Sequence, residues 1–459
     1  MPSPFQGIET ASRALRAFQR SLDTTSNNIA NVNTAGYTRQ VVELTPTDPG
    51  HEYARKLLTI GSGVNVSEIN RIRDNQLEHR RHTAFSEQGR SEASLGNLEK
   101  VQSTFLDVQG KGISTALDTF FNAWSAMGSD PTSASAKLEV QNAGRDLSKK
   151  ISNAYQELSG ISTSQDEQIQ ATLVDIQRLS EDIGQLNSEI KKQLAQGGEP
   201  NDLFDARDTV IAELSQLINV STHAASDGTI SVFSGNLTLV DQVGARDFPT
   251  TYDAATSTVT NSISTWNVSG GKLKGLFDNA NTFDTYLTQL DSLANTLRDE
   301  VNSIHMSGYT STGATGQRFF NDSVPQTGAA NFALDANIEA SVDNIALGAT
   351  NAAGDGSIGL GISALRDTKL TNLGNKTFKN YFSDVLTGVG RAVTVAKTNL
   401  ETAYALTEQV EAQIQDVSGV NLDDEMAEML KYQRSYQAAA KVLNVMDQTI
   451  GDLIDMLRR

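Results

Sequence analysis

Four groups of residues carry types and spacings from which chemistry could be built. Gly354, Gly356 and Gly359 stand in the GxGxxG order of a dinucleotide loop. That motif binds a pyrophosphate only between a buried strand and a helix N-terminus. The ATNAA that precedes it has no strand character, so a Gly-rich turn is the expected reading. His79 and His82 are three apart on a predicted helix, a spacing that can hold a metal, but no third ligand follows the same logic and Arg80 and Arg81 disfavour a cation. Asp202, Asp205 and Asp208 cluster at the start of a predicted helix, where negative charge is expected from capping and the helix dipole alone. Arg71, Arg73, Arg80 and Arg81 form the densest basic stretch, yet Asp74 and Glu78 interrupt it, as on a solvated helix face. There is no P-loop, no HExxH and no GxSxG. No catalytic, metal or cofactor site is expected, and the chain does not read as an enzyme.

Composition narrows the partners. The 459 residues hold 37 Lys plus Arg against 55 Asp plus Glu, a formal charge of −18. Such a field repels nucleic acid and anionic lipid, so neither is expected as a partner. Cysteine is absent, which excludes disulfides, thiol nucleophiles and Cys-based metal sites. No apolar run approaches the roughly 18 residues that a membrane span needs, so membrane insertion is not expected. MPSPFQGIETASRAL lacks the charged and apolar regions of a cleaved signal peptide. The length is enough for two to four domains.

The elements that would position any site are mostly helical. A first helix over residues 5–32 ends at SNNIANVNTAGY, where Gly36 suits a helix exit. TRQVVELT (38–45) is strand-like, and a polar helical stretch runs from about Glu68 to Val108. Leu117, Phe120, Phe121 and Trp124 share one face of the next helix. The longest signal then runs from Leu147 to Leu194, slipping in phase near Gln165–Gln168 without ending. A short helix (203–218) leads to a Thr-, Ser-, Val- and Gly-rich stretch, 220–275, with strand-like alternation. Helix returns at 276–306, loops and short strands fill 307–360, and helices over 377–417 and 422–457 finish the chain. The fold class is mainly α with a smaller β-rich insertion: terminal helices paired as a coiled coil, a long helical-bundle domain and an outer β domain. The expected partition is 1–35 with 418–459, 36–219 with 276–417, and 220–275.

The two ends are matched. Ile8, Leu15, Leu22 and Ile29 recur every seven residues, with Ala11, Phe18, Thr25 and Val32 between them. Leu422, Met429, Tyr436, Leu443, Ile450 and Leu457 do the same, with Tyr432, Ala439, Met446 and Leu453 in the alternate slots. These are heptad seams, along which one helix buries itself against another. Isolated helices of this length are marginal in water, so the ends need each other or neighbouring copies of the chain.

SNNIANVNTAGYTRQ (26–40), carrying Asn27, Asn28, Asn31, Gly36 and Tyr37, resembles the N-terminal signature of the flagellar axial family of rod, hook and hook-associated proteins. GVNLDDEMAEMLKYQRSYQAAAKVLNVMDQTIGDLIDML (419–457) resembles that family's C-terminal end. SGYTSTGATGQRFF (307–320), GGEPNDLFDARDTVIAELSQLINV (197–220) and FFNAWSAMGSDPTSASAKLEVQNAG (120–144) are similar to its hook-associated branch. The resemblance implies an inner coiled-coil domain of paired terminal helices, a helical domain and an outer β domain. It further implies a homo-oligomeric ring at the hook–filament junction, between the hook protein and hook-associated protein 3. Export through the flagellar type III apparatus, without a cleaved signal, belongs to the same implication. So does an export chaperone (FlgN-type) on the C-terminal helix, over Leu443, Met446, Ile450, Leu453 and Leu457.

Overall fold

The computed structural model describes residues 4–47, 61–105, 112–253, 258–259, 265–322, 328–352 and 354–457. Helix α1 (Pro4–Ala30) leads into the hairpin β1 (Gln40–Pro46) and β2 (Val64–Arg71). The hairpin is antiparallel, pairs Gln40 with Arg71 and Pro46 with Val64, and shifts register between Glu43 and Leu44. Helix was expected from about Glu68, but the alternation VNVSEINR pairs as a strand. Helix α2 (Asn75–Phe105) begins only where the Asp74 carboxylate accepts from Gln76 N at 2.7 Å. Helices α3 (Ile113–Ser129), α4 (Ala134–Ala195) and α5 (Asn201–Leu217) follow, then strands β3 (Ser221–Ala224), β4 (Ile230–Ser234) and β5 (Leu237–Val240). The pair β6 (Tyr252–Asp253) and β7 (Thr258–Val259) precedes α6 (Gly271–Met306). Beyond α6 lie β8 (Tyr309–Thr310), α7 (Ala336–Ala340), β9 (Ala346–Gly348), α8 (Ser357–Ala364), α9 (Phe378–Ser418) and α10 (Leu422–Leu457).

The 62-residue α4 is the spine, about 93 Å long at 1.5 Å per residue. Val140, Leu147, Ile151 and Leu158 enter one core with α2, α3, α6, α8 and α9. Ile169, Leu173, Ile176 and Ile183 enter a second core with α5, the β3–β5 sheet, Trp266 and the start of α6. The phase slip foreseen at Gln165–Gln168 falls between the two. There Gln165 turns fully inward and its Oε1 accepts from Asn97 Nδ2 at 3.1 Å. Helix periodicity cannot serve two cores with one unbroken apolar stripe, and a polar residue occupies the hand-over.

The first core is aromatic. Trp124 lies edge-on to Phe319 with centroids 5.0 Å apart, and Phe319 to Phe320 at 4.9 Å. The Asn302 carboxamide holds this segment in place: Oδ1 accepts from Phe319 N and Phe320 N, both at 2.9 Å, and Nδ2 donates to Phe320 O at 2.9 Å. The GxGxxG segment is built for packing. Gly356 and Gly359 bring α8 onto α3 so closely that a Cβ on Gly359 would lie 2.8 Å from the Cα and N of Gly128. Asp355 accepts from Ser357 N at 3.0 Å and Thr350 N at 2.9 Å, closing the turn. Gly359→Ala should therefore cost about 2 kcal/mol through backbone displacement, read as a lower urea midpoint at unchanged m; an unchanged midpoint would refute this packing argument.

His305 is fully buried in this core. Its Nε2 accepts from Ala346 N at 2.9 Å, so Nδ1 carries the proton and donates to Gln317 O at 2.7 Å. Burial pushes the imidazole down to about 4, against the carbonyl contact that favours charge. An unfolded imidazole takes its proton near pH 6.5. Between those values the unfolded chain binds the extra proton, so stability falls as pH drops through that window, by up to about 3 kcal/mol. Urea titrations at pH 7 and pH 4.5 should show this loss in the parent chain and a smaller one in His305→Gln.

Candidate assembly interface

α1 and α10 pack antiparallel. Gly7 faces Met446, with its would-be Cβ 3.1 Å from Sδ, and Asn28 Nδ2 donates to Glu425 Oε2 at 3.0 Å. Both contacts span 21 residues on each helix, about 32 Å of uninterrupted pairing. In this register the last two turns of α10 project beyond the start of α1.

The residues of α1 that are fully buried are Ala11, Ala17, Ser21, Thr24, Thr25 and Asn28, which lie against α10 and the β1–β2 hairpin. Ile8, Leu15, Phe18, Leu22, Ile29 and Val32 are only half-buried. On α10, Met429, Tyr436, Leu443 and Ile450 are half-buried, whereas Leu422, Met446 and Leu453 are exposed. The side chain of Leu457 lies outside the described residues. Met426, Leu430, Val445 and Ile454, outside the heptad slots, and Leu453, within them, are each roughly half exposed and spread around α10. Of the inward face of α1, Ala11 and Thr25 stand in the heptad slots, whereas Ala17, Ser21 and Thr24 were missed because they are small or polar. The signal available was the 3–4 spacing Ala11, Ala14, Ala17, Ser21, Thr24, Asn28.

A polar cluster locks the open end of this pair. Asn28 is 1% exposed and its Oδ1 accepts from Gln40 N at 3.1 Å and from Tyr37 Oη at 2.8 Å. Its Nδ2 donates to Gln40 O at 2.9 Å as well as to Glu425. Arg39 Nε donates to Glu425 Oε1 at 2.6 Å, and Arg39 N to Ser418 O at 2.9 Å. Asn27 donates to Tyr37 Oη at 3.2 Å, and Asn31 Nδ2 turns back onto Asn27 O at 3.0 Å. The chain reverses here through Gly36 at φ +80°, which glycine adopts without the strain of a Cβ. Burial, then the carboxylates of Asp205, Asp202 and Glu425, holds the Tyr37 hydroxyl well above its usual range, so it stays a donor.

A second cluster lies directly behind. Asp205 Oδ2 accepts from Thr38 N at 3.1 Å, and Arg71 Nη1 reaches Asp205 at 2.6 Å and Asp208 at 2.9 Å. Arg73 pairs with Asp208 and, at 2.9 Å, with Glu78, which Arg81 also meets at 2.7 Å. These groups were expected as solvated charges and a helix cap. Instead Pro200 occupies the cap position, only Asp202 lies in the first turn of α5, and Asp205 and Asp208 are buried ion-pair partners. Arg80 alone behaves as a surface residue, donating to Gln413 at 3.1 Å. His79 is exposed as expected, whereas His82 is buried, because α2 turns that face onto α5. Among the described residues no group of three or more His, Cys, Asp or Glu could hold a metal ion. No helix among them is long and apolar enough to cross a membrane.

The geometry is that of an assembly element, and the comparisons agree with it. Residues 98–320 match the flagellar hook-associated protein FlgK helical domain. Residues 8–38 match the family described as flagella basal body rod protein, and 413–456 match the flagellar basal body rod FlgEFG protein C-terminal. The chain is 27% identical to the flagellar hook-associated protein 1 of Bacillus subtilis, over 99% of each chain. It is 24% identical to the protein of that name from Salmonella typhimurium, over 98% of this chain and 99% of the relative. The flagellar hook junction protein FlgK from Burkholderia pseudomallei has a similar fold, with a TM-score of 0.62 at 15% identity over 75% of this chain and all of that one. With helical core, both ends and full length all matched, the chain is similar throughout to flagellar hook-associated protein 1, and a structural role in the flagellum is supported.

Proposed function

We propose that the chain is a non-catalytic subunit of a homo-oligomeric ring at the hook–filament junction, seated between the hook protein and hook-associated protein 3. The observation that carries this reading is the apolar surface of α10 that pairing with α1 leaves uncovered. Met426, Leu430, Val445, Leu453 and Ile454, set around α10, are each roughly half exposed, and exposed apolar surface of this kind marks protein contact. Neighbouring subunits cover it in the ring, and an export chaperone of the FlgN type covers the projecting end of α10 beforehand. Export runs through the flagellar type III apparatus. In this reading 1–35 with 418–459 is the inner domain, 36–219 with 276–417 the helical domain and 220–275 the outer β domain. Absence of catalysis fits the packing and ion-pair roles found for the glycines, aspartates and arginines above.

Electron microscopy of cells lacking the gene, with an assay for flagellin in the medium, tests the proposal. Hooks without filaments and flagellin shed to the medium are expected. Absent hooks would point to a rod or hook subunit, a reading that the rod-type matches at both ends make the nearest rival. Intact filaments would overturn both.

A further inference from the structure

Arg13, Arg16 and Arg20 stand at i, i+3 and i+7 of α1 and so share one face of that helix. They line a groove of about 660 Å³, whose other side is formed by Thr47, Asn65 and Val66 at the end of the β1–β2 hairpin. The lining carboxylate, Asp23, accepts from Gln19 at 3.0 Å, and Arg13 is paired with Glu9. Arg16 and Arg20 are exposed, and among the described residues no carboxylate lies within ion-pair distance of either. A positive stripe of this kind stands out in a chain of formal charge −18.

The projecting end of α10 has the opposite character. Residues 442–457 carry Asp447, Asp452 and Asp455 and no Lys or Arg, with Arg458 and Arg459 following beyond the described residues. Asp452 and Asp455 are exposed and share a face with Met456, which is 72% exposed. Within its own subunit this tip cannot reach the arginines. Gly7 stands opposite Met446 and Asn28 opposite Glu425, so Arg16 is level with Gln437. Asp452 lies 15 residues further along α10 (437 to 452), about 22 Å at 1.5 Å per residue.

Resting on the ring of copies proposed above, we infer that the acidic tip of α10 of one copy docks in the α1–hairpin groove of the next, with Asp452 and Asp455 meeting Arg16 and Arg20. The occupant is a second copy because the tip is this chain's own unpaired helix end and carries the charge that the groove lacks. The two surfaces lie at different levels of the helix pair, so neighbouring copies are displaced along its axis by about 22 Å. The contact is heterologous: each copy offers a tip and a groove, and the pairing passes from copy to copy. Charge complementarity of this kind fixes register and rejects wrong partners more than it adds affinity.

The absence of cysteine makes a cross-linking test clean. A disulfide needs Cα atoms roughly 4.4–6.8 Å apart, so Arg16→Cys and Asp452→Cys in one chain cannot be joined within a subunit. Mild oxidation of isolated flagella carrying both substitutions should give a ladder of dimers, trimers and higher multimers of this chain. Either substitution alone should give dimers at most. Arg16→Glu with Arg20→Glu should lower the number of filaments per cell by about ten-fold, and adding Asp452→Arg with Asp455→Arg should restore them. Flagella that contain the doubly substituted chain but yield no multimer beyond the dimer would overturn the proposal, as would an equal ladder when Asp424→Cys replaces Asp452→Cys. So would an undiminished filament count in the reversed arginines, or a loss that the added arginines leave unchanged, which would assign the stripe to a different partner. If deleting the gene leaves filaments attached, the ring reading falls with this contact; if deletion sheds them and the cysteine pair stays uncoupled, only the contact falls.

Discussion

Asn28→Ala should uncouple the terminal helix pair from the body of the protein. The substitution removes one carboxamide that bonds three other residues, and it strips Glu425, 2% exposed, of a donor. Leaving Gln40 N and a buried carboxylate oxygen unmet should cost about 3–5 kcal/mol. The loss is local, because α1 and α10 have few buried apolar contacts to share it. Amide exchange in α1 and in residues 422–446 should accelerate by about 10²–10³-fold, while α4 and α6 keep their protection. Unchanged exchange in α1 would show that the small-residue face alone holds the pair. Cells carrying the variant should lose motility, with export of the protein retained.

Arg71→Met should be nearly as damaging, and in another place. Arg71 is the cation between Asp205 and Asp208, with side chains of all three largely buried. Removing it strands Asp205 beside Asp208, which keeps Arg73, and breaking a buried pair from one side typically costs about 3–5 kcal/mol. The β1–β2 hairpin loses its tie to α5, so the defect should appear as global destabilisation in urea. Adding Asp205→Leu should recover part of the loss, since it removes the stranded charge. A double variant less stable than Arg71→Met would argue that Asp205 acts mainly through Thr38 N, at 3.1 Å, rather than as a counter-ion.

The periodic apolar elements could be read from sequence because a helix repeats its inward residues mechanically. The long α4, the aromatic face of α3 and the pairing of the ends all follow from spacing. What apolar spacing did not give was most of the inward face of α1, where Ala17, Ser21, Thr24 and Asn28 are buried and the larger Leu15 and Leu22 are not. Small residues allow close approach, and that is a property of two surfaces rather than of one chain's hydrophobicity. The ion-pair layer was illegible for a related reason. Asp205 and Arg71 lie 134 residues apart, and a carboxylate in the opening turns of a helix looks the same whether its partner is water or a buried guanidinium. His82 was misjudged on the same footing, by its charged neighbours Arg80 and Arg81 rather than by the face it shares with buried Glu78 and Ser86.

The bond from Arg39 N to Ser418 O sets the outgoing and returning chain side by side at one point. The covalent links between the terminal helices and everything between those residues are two adjacent backbone strands, with the β1–β2 hairpin packed on α1 beside them. Torque passing between the helix pair and the rest of the chain would load both strands together. Hydrogen bonds and ion pairs spanning them are then pulled in parallel, not opened one after another from a free end. Arg39, bonded to Ser418 through its amide and to Glu425 through its side chain, acts as a rivet across that seam, and the helix pair can follow the body's rotation without being peeled apart.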